Sequence, residues 1–268
     1  RVEEKPVAIC RLKRVAADHK DDIVDRLPVI PAQKNGKRVA CIGAGPASLT
    51  VANDLLPLGY EVVIFEQWDK PGGLMRTNIP AFRLPETVLA EEIGYIEQMG
   101  AQIRYNSRID SMRKLLATGG FDAVFVGSGA PKGKELKLPG RTEGDASIHI
   151  GINWLESVAF KHVDKIGEKV LIIGVGNTAM DCCRSSLRLG AREVKVMARK
   201  PRQFFKASEW ELEDAESENV DIVVNHSPKA FVVEGGRLKG MLFEQMEYDF
   251  DSRGRITAER VTGETFIA

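Results

Sequence analysis

Two short glycine motifs are the residues best suited to chemistry in this 268-residue chain. Gly43-Ala44-Gly45 follows one apolar run, and Gly174-Val175-Gly176 follows another. The first glycine of such a motif permits a tight turn, and the second lets a pyrophosphate approach the backbone. The phosphate then meets the N–H groups at the start of the next helix. Each motif therefore predicts a dinucleotide-binding turn, and a turn that merely joins a strand to a helix is the alternative.

The elements around the two motifs repeat. Residues 36–45 return in similar form as residues 167–176, and each copy predicts a buried strand. A helical stretch then ends in Leu58-Gly59 or in Leu189-Gly190, and a second strand follows. A lone glycine motif is a weak signal, but a complete strand–helix–strand unit of about 30 residues that occurs twice is a strong one.

The residues after the second strand of each copy differ in charge. Glu66 ends the first copy, about 20 residues beyond Gly43, where an acid accepts hydrogen bonds from a ribose diol. Ala198 stands at the equivalent position of the second copy, and it is followed by Arg199, Lys200, Arg202 and Lys206. A carboxylate repels a 2′-phosphate, whereas a guanidinium pairs with it. The first site is thus suited to FAD or NAD and the second to NADP, with a solvated basic loop as the alternative for the second.

Other residues near the first copy are further candidates. The doublet Gly72-Gly73, which precedes Leu74, lets backbone approach a bulky ligand closely. Arg83 lies between two prolines, where it meets a phosphate or a flavin carbonyl, or else forms a surface salt bridge, which by itself is favoured. Ile109 either contacts an adenine or belongs to the core.

The remaining pattern predicts the elements that complete two sheets. Apolar spacing predicts a helix over residues 84–99, and short apolar runs predict strands at 102–105, 123–126, 220–225, 230–233 and 238–248. An acidic amphipathic helix is predicted over 207–218. We expect its Glu209 and Glu211 on a solvent-exposed face rather than beside a cofactor ribose.

Composition excludes several classes of function. Lys plus Arg and Asp plus Glu both number 38, so the chain lacks the basic character of a nucleic-acid-binding protein. No apolar stretch approaches the roughly 20 residues that span a bilayer, and no charged-then-apolar leader opens the chain. We therefore expect no membrane partner and a cytoplasmic location.

The reactive residue types are scattered. The four cysteines form no CxxC pair, and Cys41, Cys182 and Cys183 are expected to be small residues packed in the fold. The four histidines lack the spacing of metal ligands, so no metal site is expected. No Ser-His-Asp set or carboxylate pair is present, and we name no catalytic side chain.

Taken together, the motifs resemble one family of flavin enzymes. They are GAGPAS at 43–48, FEQWDKPGGL at 65–74, IPAFRLP at 79–85, GVGNTAMDCCRSSLRLGA at 174–191 and ARKPR at 198–202. The chain looks like the small (beta) subunit of glutamate synthase. It is also similar to the flavin half of dihydropyrimidine dehydrogenase and to the large subunit of electron-bifurcating ferredoxin–NADP transhydrogenases. The resemblance covers nearly the whole chain.

The resemblance implies where both cofactors bind. For FAD, the expected residues are Gly43, Ala44, Gly45, Pro46, Ala47, Glu66, Gln67, Gly72, Gly73, Leu74 and Arg83, beside the residue-based candidate Ile109. For NADP, they are Val175, Gly176, Asn177 and Thr178 after Gly174, with Arg199, Lys200 and Lys206 at the 2′-phosphate. NAD is a possible substitute for NADP.

The family pattern extends beyond this chain. Family members carry cysteine ligands of iron–sulfur clusters upstream of the segment at residues 6–14, and a later Gly-Asp motif that holds the flavin ribityl chain. This chain contains neither. We therefore expect a 4Fe–4S cluster only in a missing upstream region or in a partner subunit.

The sequence thus predicts an α/β protein with two Rossmann-like dinucleotide-binding domains, in which the NADP domain is inserted in the FAD domain. We expect this fold to be incomplete at both ends. Residues 1–36 are expected to form a helical lead-in and linker, 37–147 the first part of the FAD domain, 148–248 the NADP domain, and 249–268 a return toward the FAD domain.

The function expected from the resemblance is hydride transfer from NADPH to FAD, followed by delivery of electrons to an iron–sulfur centre. Hydride transfer needs no acid or base, so the protein's task is to stack the rings and exclude water. The alternatives are a flavin monooxygenase, a disulfide reductase, which the absence of CxxC disfavours, and a non-catalytic dinucleotide-binding or assembly module.

Overall fold

The computed structural model describes residues 7–267, apart from the side chain of Asp145. Residues 1–6 of the expected lead-in, and Ala268, lie outside the described residues. The helices are α1 Ile9–Asp18, α2 Pro46–Leu55, α3 Leu74–Thr77, α4 Glu86–Gln98, α5 Met112–Thr118, α6 Gly151–Ala159, α7 Asn177–Arg188 and α8 Glu209–Ser217. The strands are β1 Arg38–Ile42, β2 Glu61–Phe65, β3 Gln102–Arg104, β4 Ala123–Val126, β5 Lys169–Ile173, β6 Glu193–Met197, β7 Asp221–Val223, β8 His226–Glu234, β9 Arg237–Phe250 and β10 Ile256–Ile267.

The first compact unit contains the chain up to Pro71 together with Ala90–Gly127. Its parallel sheet has the strand order β3-β2-β1-β4. β1 and β2 are buried on both faces, as parallel strands covered by helices are, and this is why they are continuous apolar runs. Phe65 at the end of β2 packs edge-to-face on Phe121, with ring centroids 5.9 Å apart.

The second compact unit contains Gly72–Leu89 and the chain from Ser128 onward. Its parallel sheet has the order β5-β6-β7. Met180 and Cys183 of α7, and Leu212 and Ala215 of α8, share one apolar core with residues of β6. The structure therefore confirms both predicted strand–helix–strand units, β1-α2-β2 and β5-α7-β6, and with them the α/β class.

A three-stranded antiparallel sheet, β8-β9-β10, also belongs to the second unit. Met241 and Phe243 of β9 pack with Met197 of β6 in a common core. The strands predicted at 230–233 and 238–248 are longer in the structure. Strand β10 was not predicted, because most of its side chains are exposed and its apolar pattern is weak.

The division into compact units differs from the expected domain bounds of 37–147 and 148–248. It falls at Gly127 rather than at Ser147. The cause is the segment after Gly127, where Leu136 and Leu138 pack in the core around Phe243. In addition, the Phe231 N–H donates to the Pro139 carbonyl at 2.9 Å.

Two further segments differ from the expected bounds. Residues 72–89 belong to the second unit, although they were expected within the FAD domain. Residues 249–268 were expected to return toward that domain. As far as Ile267, they continue instead into β10, which pairs with β9 from Ile256↔Phe250 to Ile267↔Met241.

The expected helical lead-in contains α1 and a 3-10 turn at Val24–Arg26. Lys20 attaches this segment to the first unit through an ion pair of 2.7 Å with Glu92 on α4. No helix in the described part of the chain is long and apolar enough to cross a membrane.

Two glycines of the first unit test how tightly α2 packs on the sheet. A Cβ at Gly127 would stand 2.2 Å from the Ser48 Oγ and 3.3 Å from the Ile42 carbonyl oxygen, whereas a Cβ at Gly94 would meet no atom within 4 Å. Gly127→Ala should lower the free energy of unfolding by about 1–3 kcal/mol through overpacking. Gly94→Ala, within α4, should raise it by up to about 1 kcal/mol. Thermal denaturation of both variants measures this, and equal effects would contradict the close packing.

Candidate nucleotide-binding sites

The first glycine turn leaves a helix N-terminus without a side-chain cap. Gly43 adopts a φ of +87°, which only glycine accepts readily, and its N–H donates to the Phe65 carbonyl at 2.8 Å. α2 then begins at Pro46, and no described side chain accepts a hydrogen bond at its N-cap, Gly45. The first N–H groups of a helix have no partner within the helix, so this turn is suited to a pyrophosphate.

Glu66 is joined to that turn. Its Oε2 accepts from the Ala44 N–H at 2.7 Å, and its Oε1 accepts from the Trp68 N–H at 3.0 Å. The residue is 5% exposed. Each carboxylate oxygen can accept more than one hydrogen bond, so acceptor capacity is left for a ribose hydroxyl. The structure therefore brings together the glycine turn and the acid that the sequence singled out.

The other residues expected at FAD are distributed over both compact units. Pro46, Ala47 and Gln67 are exposed in the first unit, and Ile109 packs half-buried against its core. In the second unit lie Gly72, Gly73, Leu74 and Arg83. Gly72 and Gly73 have φ values of +121° and +52°, so both depend on the absence of a side chain.

The second glycine turn has the same features as the first. Gly174 has a φ of +116°, and its N–H donates to the Met197 carbonyl at 3.0 Å. α7 begins at Asn177 with no side-chain cap among the described residues. A Cβ at Gly174 or Gly176 would meet no atom within 4 Å, so the space beside the turn is open. Asn177 and Thr178, in the first helical turn, are exposed.

The segment before α8 is held against this turn. The N–H groups of Lys206 and Ala207 both donate to the Val175 carbonyl, at 3.2 and 3.0 Å. The Ser208 N–H donates to the Asn177 Oδ1 at 3.1 Å. Lys206, expected at a 2′-phosphate, is thereby fixed next to the glycine motif through its own backbone.

The basic residues of this loop have different partners. Arg199 forms an ion pair of 2.5 Å with Glu259 of β10, and Arg202 pairs with Glu209 at 2.9 Å and also with Glu216. The Lys200 ammonium lies 5.7 Å from the centre of the Phe204 ring. No carboxylate that the structure describes lies within ion-pair distance of Lys200 or Lys206. These two lysines are therefore the cations available to an anionic ligand.

A cluster of buried charges lies behind the second glycine turn. Arg83 donates to both carboxylate oxygens of Asp181, at 2.7 and 2.9 Å, and also to Glu211 Oε1. Arg184 lies 3.8 Å from Glu211 Oε2, which has no hydrogen-bond partner among the described residues. Glu211 is 1% exposed and Asp181 is 5% exposed. Burial raises the pKa of Asp181, although the neighbouring Arg83 lowers it.

The cluster fastens the segment 72–89 to the helices of the second unit. Phe82 lies under two guanidinium groups of α7, with Arg188 3.9 Å and Arg184 4.9 Å from its ring centre. Asn78 donates to the Ile152 carbonyl of α6 at 2.9 Å. The IPAFRLP motif is thus fixed by contacts with α7 and α8, the two helices whose first residues lie at the NADP-type turn.

Two sequence expectations require correction here. Glu211 is not on a solvent-exposed face, because it stands on the same side of α8 as Leu212 and Ala215, which pack in the core. Arg83 does form a salt bridge, but the acids it pairs with are buried rather than at the surface. The signal that sequence reasoning missed is the placement of Asp181 and Glu211 among apolar residues at helical spacing.

The three buried thiols have little nucleophilic character. All four cysteines are free, and only Cys10 is exposed. Burial raises the pKa of Cys41 to about 11 and the pKa values of Cys182 and Cys183 to about 12. The prediction that these three pack as small core residues is confirmed. No group of three or more potential metal ligands is formed by the described residues.

Each of the two parallel sheets thus has a glycine turn followed by a helix whose N-cap has no side-chain hydrogen bond among the described residues, and both turns are candidate dinucleotide-binding sites. The chain belongs to the pyridine nucleotide-disulphide oxidoreductase family, which it matches over residues 37–258. It is 38% identical over 88% of its length to the NADP(+)-dependent formate dehydrogenase subunit beta of Moorella thermoacetica, of which it covers 34%. It is 31% identical over 90% of its length to a putative glutamate synthase [NADPH] small chain of Cereibacter sphaeroides, of which it covers 60%.

A solved structure shows the same fold. The Mycobacterium tuberculosis protein FprA in complex with NADPH superposes with a TM-score of 0.72 at 17% identity, over 86% of this chain and 68% of that one. The resemblance to the glutamate synthase small subunit is therefore confirmed, and the chain belongs to a family of oxidoreductases. The family binds FAD and NADP, which confirms the expected cofactors. The two helix N-termini without side-chain caps, and the open space beside Gly174 and Gly176, fit dinucleotides.

The buried cluster predicts a stability effect that depends on pH. Arg83→Met removes the cation that compensates Asp181 and Glu211, and breaking such a pair costs about 3 kcal/mol of unfolding free energy. The Asp181 pKa is already raised and should rise further in the variant. An acid with a raised folded-state pKa destabilises the fold above that pKa, and the penalty disappears as the pH falls through it. Denaturation at pH 7.5 and 5.5 should show a larger loss at the higher pH.

Arg260→Met is the matched control for this experiment. Arg260 pairs with Asp249, and both side chains are about half exposed. Exposed ion pairs contribute little to stability, so this variant should change the melting temperature slightly at either pH. A loss in Arg83→Met that is equal at both pH values would contradict the role assigned to the carboxylates.

Proposed function

We propose that this chain binds FAD at the Gly43–Ala47 turn and NADP at the Gly174–Thr178 turn, and that it transfers a hydride from NADPH to FAD. The electrons then pass to a 4Fe–4S centre in a preceding domain or a partner subunit. FAD supplies the chemistry when bound, because it accepts a hydride and can release electrons singly.

The observation that carries this proposal is a duplicated turn with opposite charge beside each copy. At the first turn the buried acid Glu66 favours a ribose diol and disfavours a 2′-phosphate. At the second, Lys200 and Lys206 offer cations that have no carboxylate partner in the described part of the chain. Two sites of unlike charge in one chain are suited to two different dinucleotides, one donating and one accepting a hydride.

The residues of this chain bind and orient rather than react. The N–H groups at the starts of α2 and α7 are available to the two pyrophosphates, and the positive ends of both helices stabilise them. Glu66 orients one ribose, and the lysines select the other nucleotide. Transfer of a hydride to the flavin requires no proton transfer by a side chain.

Delivery of electrons to another domain or subunit agrees with the names of the relatives, which are called a subunit beta and a small chain. The chain spans 34% and 60% of the length of these two relatives, so a protein of their size has room for further domains. A cytoplasmic location belongs to the same proposal and is supported by four free thiols.

Dithiol chemistry is disfavoured despite the family's name. Cys182 and Cys183 are buried, and their pKa values of about 12 keep both thiols protonated at neutral pH. A disulfide reductase needs an accessible thiolate as its nucleophile. We therefore propose neither Cys182 nor Cys183 as the acceptor of electrons from the reduced flavin.

Anaerobic mixing of the flavin-loaded protein with NADPH or NADH tests the hydride step. The visible flavin absorption should bleach rapidly with NADPH and much more slowly with NADH. A preparation that binds no flavin, or one that neither nucleotide bleaches, would instead favour a non-catalytic binding module. Iron and acid-labile sulfide should be found in the intact parent protein or its complex, and their absence from both would overturn the onward step.

Lys206→Ala tests the choice of nucleotide. A charge-assisted contact with the 2′-phosphate contributes enough that its loss should weaken NADP⁺ binding by about tenfold or more. NAD⁺ binding should change by less than about twofold, because NAD⁺ has no phosphate at that position. Lys229→Ala is the control, since Lys229 pairs with Glu264 of β10. Calorimetric titration measures all four affinities, and equal losses for both nucleotides would contradict the assignment.

A further inference from the structure

The antiparallel hairpin of β9 and β10 contacts the loop to which we assign the 2′-phosphate. The Tyr248 hydroxyl donates to the Arg199 carbonyl at 2.5 Å, and Glu259 pairs with the Arg199 guanidinium at 2.5 Å. Phe250 stacks on Phe204 of the loop, with ring centroids 6.2 Å apart and planes 10° from parallel. The hairpin therefore holds both the backbone and the side chain of Arg199.

The contacts of Arg199 come from neighbouring positions on two strands. Tyr248 of β9 and Glu259 of β10 are opposite each other in the sheet register. The antiparallel pairing thus fixes the carboxylate next to the end of β6, the strand that precedes the basic loop. The position of Glu259 follows from the sheet, not from a flexible tail.

Glu259 and a 2′-phosphate would bind the same group, the Arg199 guanidinium. An arginine binds a phosphate best through two parallel hydrogen bonds. In this structure the Nη2–H group of Arg199 already donates a hydrogen bond to Glu259 Oε1. The carboxylate also repels a phosphate that approaches within a few ångströms. NAD, which carries no 2′-phosphate, experiences neither effect. Both side chains are about half exposed, at 51% and 43%, so the pair is open to exchange.

We propose that Glu259 is a specificity-determining residue that competes with the 2′-phosphate of NADP for Arg199. Because Glu259 weakens the binding of NADP more than the binding of NAD, it reduces the preference for NADP that the basic loop would otherwise produce. The inference rests on the proposed function, in which this loop binds the 2′-phosphate. Lys200 and Lys206 then attract the 2′-phosphate without competition from a described carboxylate, and Glu259 determines how much Arg199 adds to that attraction.

Glu259→Gln tests the proposal without changing the size of the side chain. NADP⁺ should bind about three- to fivefold more tightly, the range expected when an exposed ion pair is exchanged for another. NAD⁺ binding should change by less than about twofold. Calorimetric titration with 2′,5′-ADP and with 5′-AMP repeats the comparison without the nicotinamide, and the gain should appear with 2′,5′-ADP alone. High salt should reduce the gain by screening the exposed charges.

Three further variants separate the possible outcomes. Glu264→Gln, on the same strand but paired with Lys229, should alter neither affinity. The double variant Arg199→Ala with Glu259→Gln should lose the gain, because Arg199 is the group that Glu259 releases. If Arg199→Ala weakens NADP⁺ selectively while Glu259→Gln changes nothing, the competition is overturned and the 2′-phosphate assignment stands. If Arg199→Ala and Lys206→Ala weaken both nucleotides equally, the assignment itself is overturned.

Discussion

The constraint on which both sites depend is the set of backbone N–H groups at the starts of α2 and α7. These donors have no partner within the helix, and no described side chain caps either one. A pyrophosphate satisfies them, but only if the chain turns sharply enough to leave space for it. This requirement explains why Gly43 and Gly174 adopt positive φ values and why a side chain at Gly174 or Gly176 would project into open space.

The same constraint locates the residues that distinguish the two nucleotides. Parallel pairing aligns Ile42 with Phe65 and Ile173 with Met197, so the end of each second strand lies beside a glycine turn. A dinucleotide whose pyrophosphate is fixed at the turn must place its adenosine ribose near that strand end. Glu66 and the basic loop that begins at Arg199 occupy these positions. In the function we propose, the charge at the end of each second strand therefore selects the nucleotide, while the turn binds the pyrophosphate that all dinucleotides share.

Local sequence patterns were sufficient to predict the two strand–helix–strand units and the charged residues beside them. The apolar strands, the glycine turns and the charges after β2 and β6 all lie within a short stretch of chain and have a period or a fixed spacing. The pairing of Arg83 with Asp181 and Glu211 has no such signal, because it joins segments 98 and 128 residues apart. Strand β10 was missed for a related reason: it depends on pairing with β9, and its own side chains are mostly exposed.

The buried charges contribute to structure rather than to bond making. In the function we propose, a hydride would pass directly between two bound rings, so the protein would contribute by holding each nucleotide in place and would need no reactive side chain. Arg83 connects the IPAFRLP segment to Asp181 of α7 and to Glu211 of α8. Burying an unpaired carboxylate lowers the stability of the fold. The pairing with Arg83 offsets this loss only while segment 72–89 stays in position. The ion pairs of Arg83 thus hold segment 72–89 against α7 and α8, the helices that begin at and beside the second glycine turn. Their role in the proposed function is structural.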